Sequence, residues 1–129
     1  MPATRVLLVD DNPGIRKAAG RLLASRFDVV GAVSDGQSAL EAFAKLAPDV
    51  VVMDVSMPIL NGIEAAHILR KSHPGAKIIF FTVDGSAELR RAATEAGALG
   101  YVLKQHMVAD LGEAIKMAMV GGTFASRDS

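Results

Sequence analysis

The sequence contains no cysteine, and aromatic residues make up only 5% of its 129 positions. Without cysteine, the chain has neither disulfide bonds nor thiolate metal sites. No apolar stretch approaches the roughly 20 residues that a membrane helix requires. The apolar run at residues 5–9 is too short for a secretory signal and ends in two aspartates. We therefore expect a soluble, cytoplasmic protein without a membrane partner.

An excess of charge of one sign is also lacking, because 14 Lys and Arg residues balance 14 Asp and Glu residues. Proteins that bind nucleic acid normally carry a basic patch or stripe. The longest basic cluster is Arg90-Arg91, and Glu88 and Glu95 lie beside it on the same predicted helix. We therefore expect no direct binding of nucleic acid by this chain.

Apolar residues make up half of the chain and form runs that alternate with segments of helical period. The runs predict strands at residues 5–9, 27–33, 49–53, 77–82 and 99–103. The segments between them predict helices at residues 13–25, 37–46, 62–72, 86–96 and 107–120. Five β–α repeats with right-handed crossovers predict an α/β fold, a doubly wound three-layer sandwich around a five-stranded parallel sheet.

Polar residues stand where four of the predicted strands end, namely Asp10-Asp11, Asp54, Thr82 and Lys104. Sites in open α/β sheets form outside the carboxyl ends of the strands, so these side chains are expected to converge. Oxygen ligands without His or Cys favour a hard cation such as Mg²⁺. Asp54 can then act as a nucleophile toward phosphorus, while Lys104 and Thr82 contact the oxygens of the transferring phosphoryl group. The pattern predicts phosphoryl transfer to an aspartate.

Three further motifs accompany these residues: Met57-Pro58, Asn61-Gly62 and Tyr101. In combination, the motifs resemble the receiver domain of two-component response regulators over essentially residues 4–120. The resemblance implies a flavodoxin-like sandwich with strand order 2-1-3-4-5. It also implies a receiver domain over residues 1–120.

The resemblance assigns the phosphorylation chemistry residue by residue. Asp54 would receive the phosphoryl group from the phosphohistidine of a sensor histidine kinase or a phosphotransfer protein. Asp10, Asp11, Asp54 and the backbone carbonyl of Ser56 would hold Mg²⁺, and Lys104 would contact the phosphoryl group. Such a domain catalyses only its own phosphorylation and dephosphorylation, so we do not expect a turnover enzyme.

The resemblance also implies how the domain would signal. Thr82 and Tyr101 would form a switch pair, in which the hydroxyl turns toward the phosphoryl group while the ring swings inward. The surface of residues 86–120 would change as a result, and a homodimer could form through this surface or the last helix. The sequence around Ser56-Met57-Pro58 and the tail at 121–129 resemble receivers that carry a C-terminal helix-turn-helix. We interpret 121–129 as a tail or the start of a linker to such an output domain, which regulates transcription.

Two residues depart from the pattern of the family. Gln105 follows Lys104 where proline is usual, and Val83 follows Thr82 where a smaller residue is common. The branched side chain of Val83 predicts a narrower path to Asp54, and therefore slower phosphorylation or dephosphorylation.

Three other functions stay open at this point. The first is a receiver that signals without phosphorylation, which the departures at Val83 and Gln105 leave possible. The second is a phosphatase with an aspartate nucleophile, although such enzymes usually carry Asp-x-Asp after a single strand. The third is a flavodoxin-like cofactor binder, although the chain lacks the glycine-rich phosphate-binding motifs of such proteins.

Overall fold

A parallel sheet forms the middle layer of the protein, whose computed structural model describes residues 3–127. Its strands are β1 Arg5–Val9, β2 Asp28–Val33, β3 Val50–Met53, β4 Ile78–Thr82, β5 Gly100–Leu103 and β6 Phe124–Ala125. The helices are α1 Pro13–Ala24, α2 Gly36–Leu46, α3 Gly62–Ser72, α4 Ala87–Glu95 and α5 Met107–Met119. Among the described residues, no helix has both the length and the hydrophobicity needed to cross a membrane. The ends of the predicted domain and tail, residues 1–2 and 128–129, lie outside the described part.

The strand order is β2-β1-β3-β4-β5-β6, and every neighbouring pair is parallel. The predicted α/β class and the order 2-1-3-4-5 are confirmed. The strand count needs a correction, because the sheet continues past β5 with the two-residue strand β6. The extra strand lies within residues 121–129, which the sequence analysis interpreted as a tail or the start of a linker.

Hydrogen bonds around Ser126 hold this sixth strand in place. The Ser126 amide donates to the carbonyl of Tyr101 at 2.8 Å. Its hydroxyl accepts from the amide of Leu103 at 3.1 Å and donates to Asp110 at 2.6 Å. Ser126 is buried as a result. The tail therefore packs on the domain at least to this residue, while its continuation as a linker stays a prediction.

Two apolar cores lie on opposite faces of the sheet, because alternate residues of a strand point to opposite sides. One face packs against α2, α3 and α4, and its strand residues are Leu7, Val9, Val51, Met53, Ile78, Phe80, Tyr101 and Leu103. The other face packs against α1 and α5, and its strand residues are Val6, Leu8, Val50, Val52, Ile79, Phe81 and Val102. The helices thus form the two outer layers of the predicted sandwich.

Capping side chains fix the start of the helices that follow β1 and β3. Asn12 caps α1 by accepting a hydrogen bond from the amide of Ile15 at 3.1 Å. Asn61 and Glu64 form a capping box at the start of α3. Such caps satisfy amides that have no partner inside the helix. Both connections leave the same edge of the sheet, so the caps restrain the loops around the acidic residues.

Candidate functional site

The register of β1 and β3 places two aspartates side by side. Val9 pairs with Met53 at the ends of these strands. The amide of Asp54 donates to the carbonyl of Val9 at 2.9 Å. Asp10 and Asp54 follow the paired residues directly, and both are buried. The sheet itself therefore brings two carboxylates together at its carboxyl edge.

Asp11 completes an acidic cluster with these two residues. One carboxylate oxygen from each of Asp10, Asp11 and Asp54 lies within 4.8 Å of the others. Asp10 and Asp54 are buried, while Asp11 is exposed. Three carboxylates this close repel one another unless a cation or a proton offsets their charge. The cluster is thus a set of hard oxygen donors that could hold a metal ion.

Lys104 provides a cation inside the cluster. Its Nζ lies 2.7 Å from Asp10 Oδ2 and 3.0 Å from Asp54 Oδ2. The side chain enters from the end of β5, where a short 3₁₀ turn spans Lys104–His106. The lysine, 50 residues from Asp54 in sequence, therefore joins the two buried carboxylates.

Burial and charge shift the pKa values of this ion pair. Burial raises the pKa of Asp54, and the negative charge of Asp10 adds to the rise. The contact with Lys104 and the Ser56 amide act in the opposite direction without cancelling it. Burial alone would lower the pKa of Lys104, but its contacts with both carboxylates outweigh burial and raise the pKa. Lys104 therefore stays charged at neutral pH.

The other predicted site residues surround this ion pair. Ser56 is exposed, and its amide donates to Asp54 Oδ1 at 3.3 Å. Thr82 ends β4 and is buried, and its Oγ1 accepts from the amide of Asp84 at 3.3 Å. The hydroxyl of Tyr101 donates to the carbonyl of the same Asp84. The loop after β4 thus connects the two residues of the predicted switch pair.

Sequence reasoning missed Asp84, in the loop after β4, and Arg90 on α4. The guanidinium carbon of Arg90 lies 4.8 Å from the centre of the Tyr101 ring. In sequence, Arg90 is only one member of a basic pair on a polar helix. Arg90 precedes Tyr101 by eleven positions in the sequence. No periodic pattern indicates which side chain of a helix will contact a given residue of the following strand. Only the packing of α4 against β5 reveals the contact.

Comparisons with known proteins agree with this geometry. The family model of the response regulator receiver domain matches residues 6–116. The response regulator GacA of Pseudomonas viridiflava is 37% identical over 124 residues, covering 95% of this chain and 58% of GacA. The chemotaxis protein CheY of Halobacterium salinarum is 36% identical over 113 residues, covering 88% of this chain and 94% of CheY.

Solved structures show the same similarity. A LuxR-family two-component response regulator from Aurantimonas sp. SI85-9A1 superposes with a TM-score of 0.93 at 35% identity, covering 99% of this chain and 92% of that one. The non-phosphorylated receiver domain of RcsB from Escherichia coli gives a TM-score of 0.89 at 25% identity, covering 97% and 99%. The chain spans only 58% of the length of GacA and 52% of DegU from Brevibacillus brevis.

Proposed function

Because the chain belongs to the response regulator receiver domain family, we propose that it is a phospho-acceptor signalling domain with Asp54 as the acceptor. The donor is the phosphohistidine of a sensor histidine kinase or of a phosphotransfer protein. The domain catalyses only its own phosphorylation and dephosphorylation. The observation that carries the proposal is the position of Lys104 Nζ, which lies within 3.0 Å of both Asp10 and Asp54.

The transfer joins one carboxylate oxygen of Asp54 to phosphorus. The bond between phosphorus and the donor breaks at the same centre, and the donor keeps the electron pair of that bond. Negative charge spreads over the oxygens of the transferring group, so positive charge and hydrogen-bond donors at fixed positions lower the barrier. Lys104 supplies the charge next to Asp54, and the hydroxyl of Thr82 donates to a second phosphoryl oxygen.

Asp10, Asp11, Asp54 and the backbone carbonyl of Ser56 are the groups that would hold Mg²⁺. The three carboxylates fit a hard cation because all their donor atoms are oxygens within 4.8 Å of one another. The exposed position of Asp11 leaves room for the waters that Mg²⁺ retains. When bound, the ion offsets the negative charge of the carboxylates and of the phosphoryl group.

Asp84 couples the phosphorylation site to the switch pair. It receives the hydrogen bond from Tyr101 on its carbonyl and donates one from its amide to Thr82. A turn of the Thr82 hydroxyl toward the phosphoryl group therefore disturbs the loop that also contacts the ring of Tyr101. Phosphorylation shifts the equilibrium between two arrangements of this loop, and the surface of residues 86–120 changes with it.

The partners follow from this surface and from the longer relatives. Receiver domains of this family interact with histidine kinases or phosphotransfer proteins. The surface of residues 86–120 passes the signal to a C-terminal helix-turn-helix domain that regulates transcription, or to a second copy in a homodimer. The tail from residue 121 leads toward that output domain.

Mass spectrometry after incubation with Mg²⁺ and acetyl phosphate tests the function. We expect the wild-type chain to gain one phosphoryl group, and Asp54→Asn to gain none because an amide is a poor nucleophile. Asp54→Asn leaves the exposed carboxylate of Asp11 unchanged. A gain of one phosphoryl group by this variant would therefore show that a residue other than Asp54 is the acceptor. An unchanged mass of the wild type would favour a receiver that signals without phosphorylation. Steady release of phosphate from a phosphomonoester would instead favour a phosphatase.

Val83→Ala is expected to speed both phosphorylation and dephosphorylation. Val83 is 70% exposed and follows Thr82 directly, and the prediction assumes that its branched side chain narrows the path to Asp54. We expect a change of about threefold, equivalent to a steric barrier of about 0.7 kcal/mol. Rates of phosphate gain and loss, followed by mass, provide the measurement. The matched control is Val108→Ala on α5, which changes a valine that is 79% exposed. Identical rates in the two variants would contradict the prediction.

A further inference from the structure

Tyr101 is held inward by one contact to its hydroxyl and another to the face of its ring. The residue is only 5% exposed although it lies on β5, which is covered at the edge of the sheet only by the two-residue strand β6. Its hydroxyl donates to the carbonyl of Asp84 in the loop after β4. The guanidinium of Arg90 covers the face of the ring, with 4.8 Å between its central carbon and the ring centre. A cation at this distance is attracted by the negative face of an aromatic ring.

Arg90 also binds the loop that receives the tyrosine hydroxyl. Its Nε donates to the carbonyl of Gly85 at 3.1 Å. Gly85 follows Asp84, whose amide contacts Thr82 and whose carbonyl contacts Tyr101. One side chain of α4 therefore contacts both the ring and the loop that connects this ring to the end of β4.

The surroundings leave space for a second position of the ring. A groove of about 310 Å³ opens beside Tyr101, between α4 and the edge formed by β5 and β6. Arg90 and Tyr101 both line the groove, together with Thr94 on α4 and Phe124 on β6. A ring released by Arg90 can therefore rotate toward this groove without displacing the core of the domain.

We propose that Arg90 is a positioning residue, which holds Tyr101 inward by covering its ring and by fixing the loop of residues 83–86. It thereby raises the fraction of molecules whose loop is already arranged for phosphorylation of Asp54. The part that concerns phosphorylation rests on the function proposed above. The part that concerns the ring rests only on the contacts of Arg90, and a separate measurement tests it.

The composition of the chain makes that measurement direct. Tyr101 is the only tyrosine, and the chain has no tryptophan. The fluorescence of the protein therefore reports this ring alone. Arg90→Met keeps an unbranched apolar side chain but removes the charge and the hydrogen-bond donors. The control is Arg91→Met, which removes the same charge from an exposed position on the same helix.

We expect acrylamide to quench the fluorescence of Arg90→Met about twice as strongly as that of the wild type, because the ring becomes accessible. Arg91→Met should match the wild type. Arg90→Lys keeps the charge without the planar group or the Nε donor, so it should give an intermediate value. Quenching of Arg90→Met equal to that of Arg91→Met would overturn the proposal, and Arg90→Lys gives the same decision if the methionine variant does not fold.

A titration of the phenol separates a positioning role from a simple charge effect. Burial and, to a smaller extent, the charge of Asp84 raise the pKa of Tyr101 to about 12, while the charge of Arg90 opposes the rise. If Arg90 is replaced and the ring stays inward, the pKa of Tyr101 should therefore rise further. Release of the ring into water instead lowers the pKa toward its ordinary value of 10.0. We expect the lower value in Arg90→Met, and a higher one would overturn the proposal.

Phosphorylation by acetyl phosphate then tests the functional consequence. We expect Arg90→Met to gain phosphate about fivefold more slowly than both the wild type and the Arg91→Met control. A factor of about five is the rate equivalent of losing one cation–π contact. A rate equal to that of Arg91→Met would overturn the link between ring and site. If no protein gains phosphate, the proposed function fails, while quenching and titration still decide whether Arg90 holds the ring.

Discussion

Replacing Lys104 with methionine is expected to lower the free energy of unfolding by about 3 kcal/mol at neutral pH. Phosphorylation is expected to slow by about 100-fold, the typical effect of losing one group that stabilises transition-state charge. Methionine keeps the apolar part of the side chain but removes the Nζ that lies 2.7 Å from Asp10 and 3.0 Å from Asp54. Two buried carboxylates then face each other without a cation, and this repulsion is the source of the lost stability.

The loss of stability should depend on pH in a defined direction. Burial already raises the pKa of Asp54 above its ordinary value of 3.8, and removal of Lys104 raises this pKa further. Folded Lys104→Met therefore binds protons more readily than its unfolded chain does. Its stability rises as the pH falls from neutral through the raised pKa of Asp54, so the deficit relative to the wild type shrinks on acidification. Urea unfolding at pH 7 and at mildly acidic pH measures the difference.

A matched lysine on the surface separates this effect from the loss of any positive charge. Lys17→Met on α1 changes an exposed side chain and should alter stability by less than about 0.5 kcal/mol. Saturating Mg²⁺ should restore part of the stability of Lys104→Met, because a bound cation offsets the same carboxylates. If the two variants were equally stable at pH 7 in the absence of Mg²⁺, Lys104 would not be the counter-charge of the cluster.

The convergence of the site could be predicted because it depends on strands that are easily recognised. Val50–Met53 is a continuous apolar run, and Asp54 follows it directly. Parallel strands end at one edge of their sheet, so residues after β1, β3 and β5 come together whatever the details of packing. Asn12 and Asn61 lie one residue before α1 and α3, where their side chains act as caps. Local chemistry and the period of the apolar residues thus agree with the whole fold.

Features that depend on distant contacts could not be predicted in this way. The strand β6 is two residues long, too short to show an alternating pattern, and it exists because the tail after α5 returns to the edge of β5. Ser126 is buried through a hydrogen bond with Leu103, which lies 23 residues away in sequence. Both features follow from tertiary packing. Ile59 adopts a positive φ of 71°, against the preference of a β-branched residue, in a tight turn where the amide of Leu60 donates to the carbonyl of Pro58 at 2.8 Å.

Substitution of Gly62 is the second change with a large expected effect, because the backbone at the end of β3 leaves no space for a side chain at this position. A Cβ on this residue would overlap the carbonyl oxygen of Asp54 and lie 2.9 Å from Cα of Val55. Both obstacles are backbone atoms that cannot rotate away. The Gly62 amide also donates to the Val55 carbonyl at 2.8 Å, which ties the start of α3 to the residue after Asp54. A methyl group must therefore push α3 away or displace the end of β3.

Gly62→Ala is accordingly expected to lower the free energy of unfolding by about 3 kcal/mol. Displacement of Asp54 by about 1 Å should also slow phosphorylation by about 100-fold. Gly20→Ala is the matched control, since a Cβ at Gly20 on α1 has no neighbour within 4 Å. This control should gain about 0.5–1 kcal/mol, because alanine favours a helix over glycine. Urea unfolding and mass-detected phosphorylation of both variants test the prediction. If Gly62→Ala is as stable and as rapidly phosphorylated as Gly20→Ala, the prediction is wrong, and β3 and α3 can separate without disturbing Asp54.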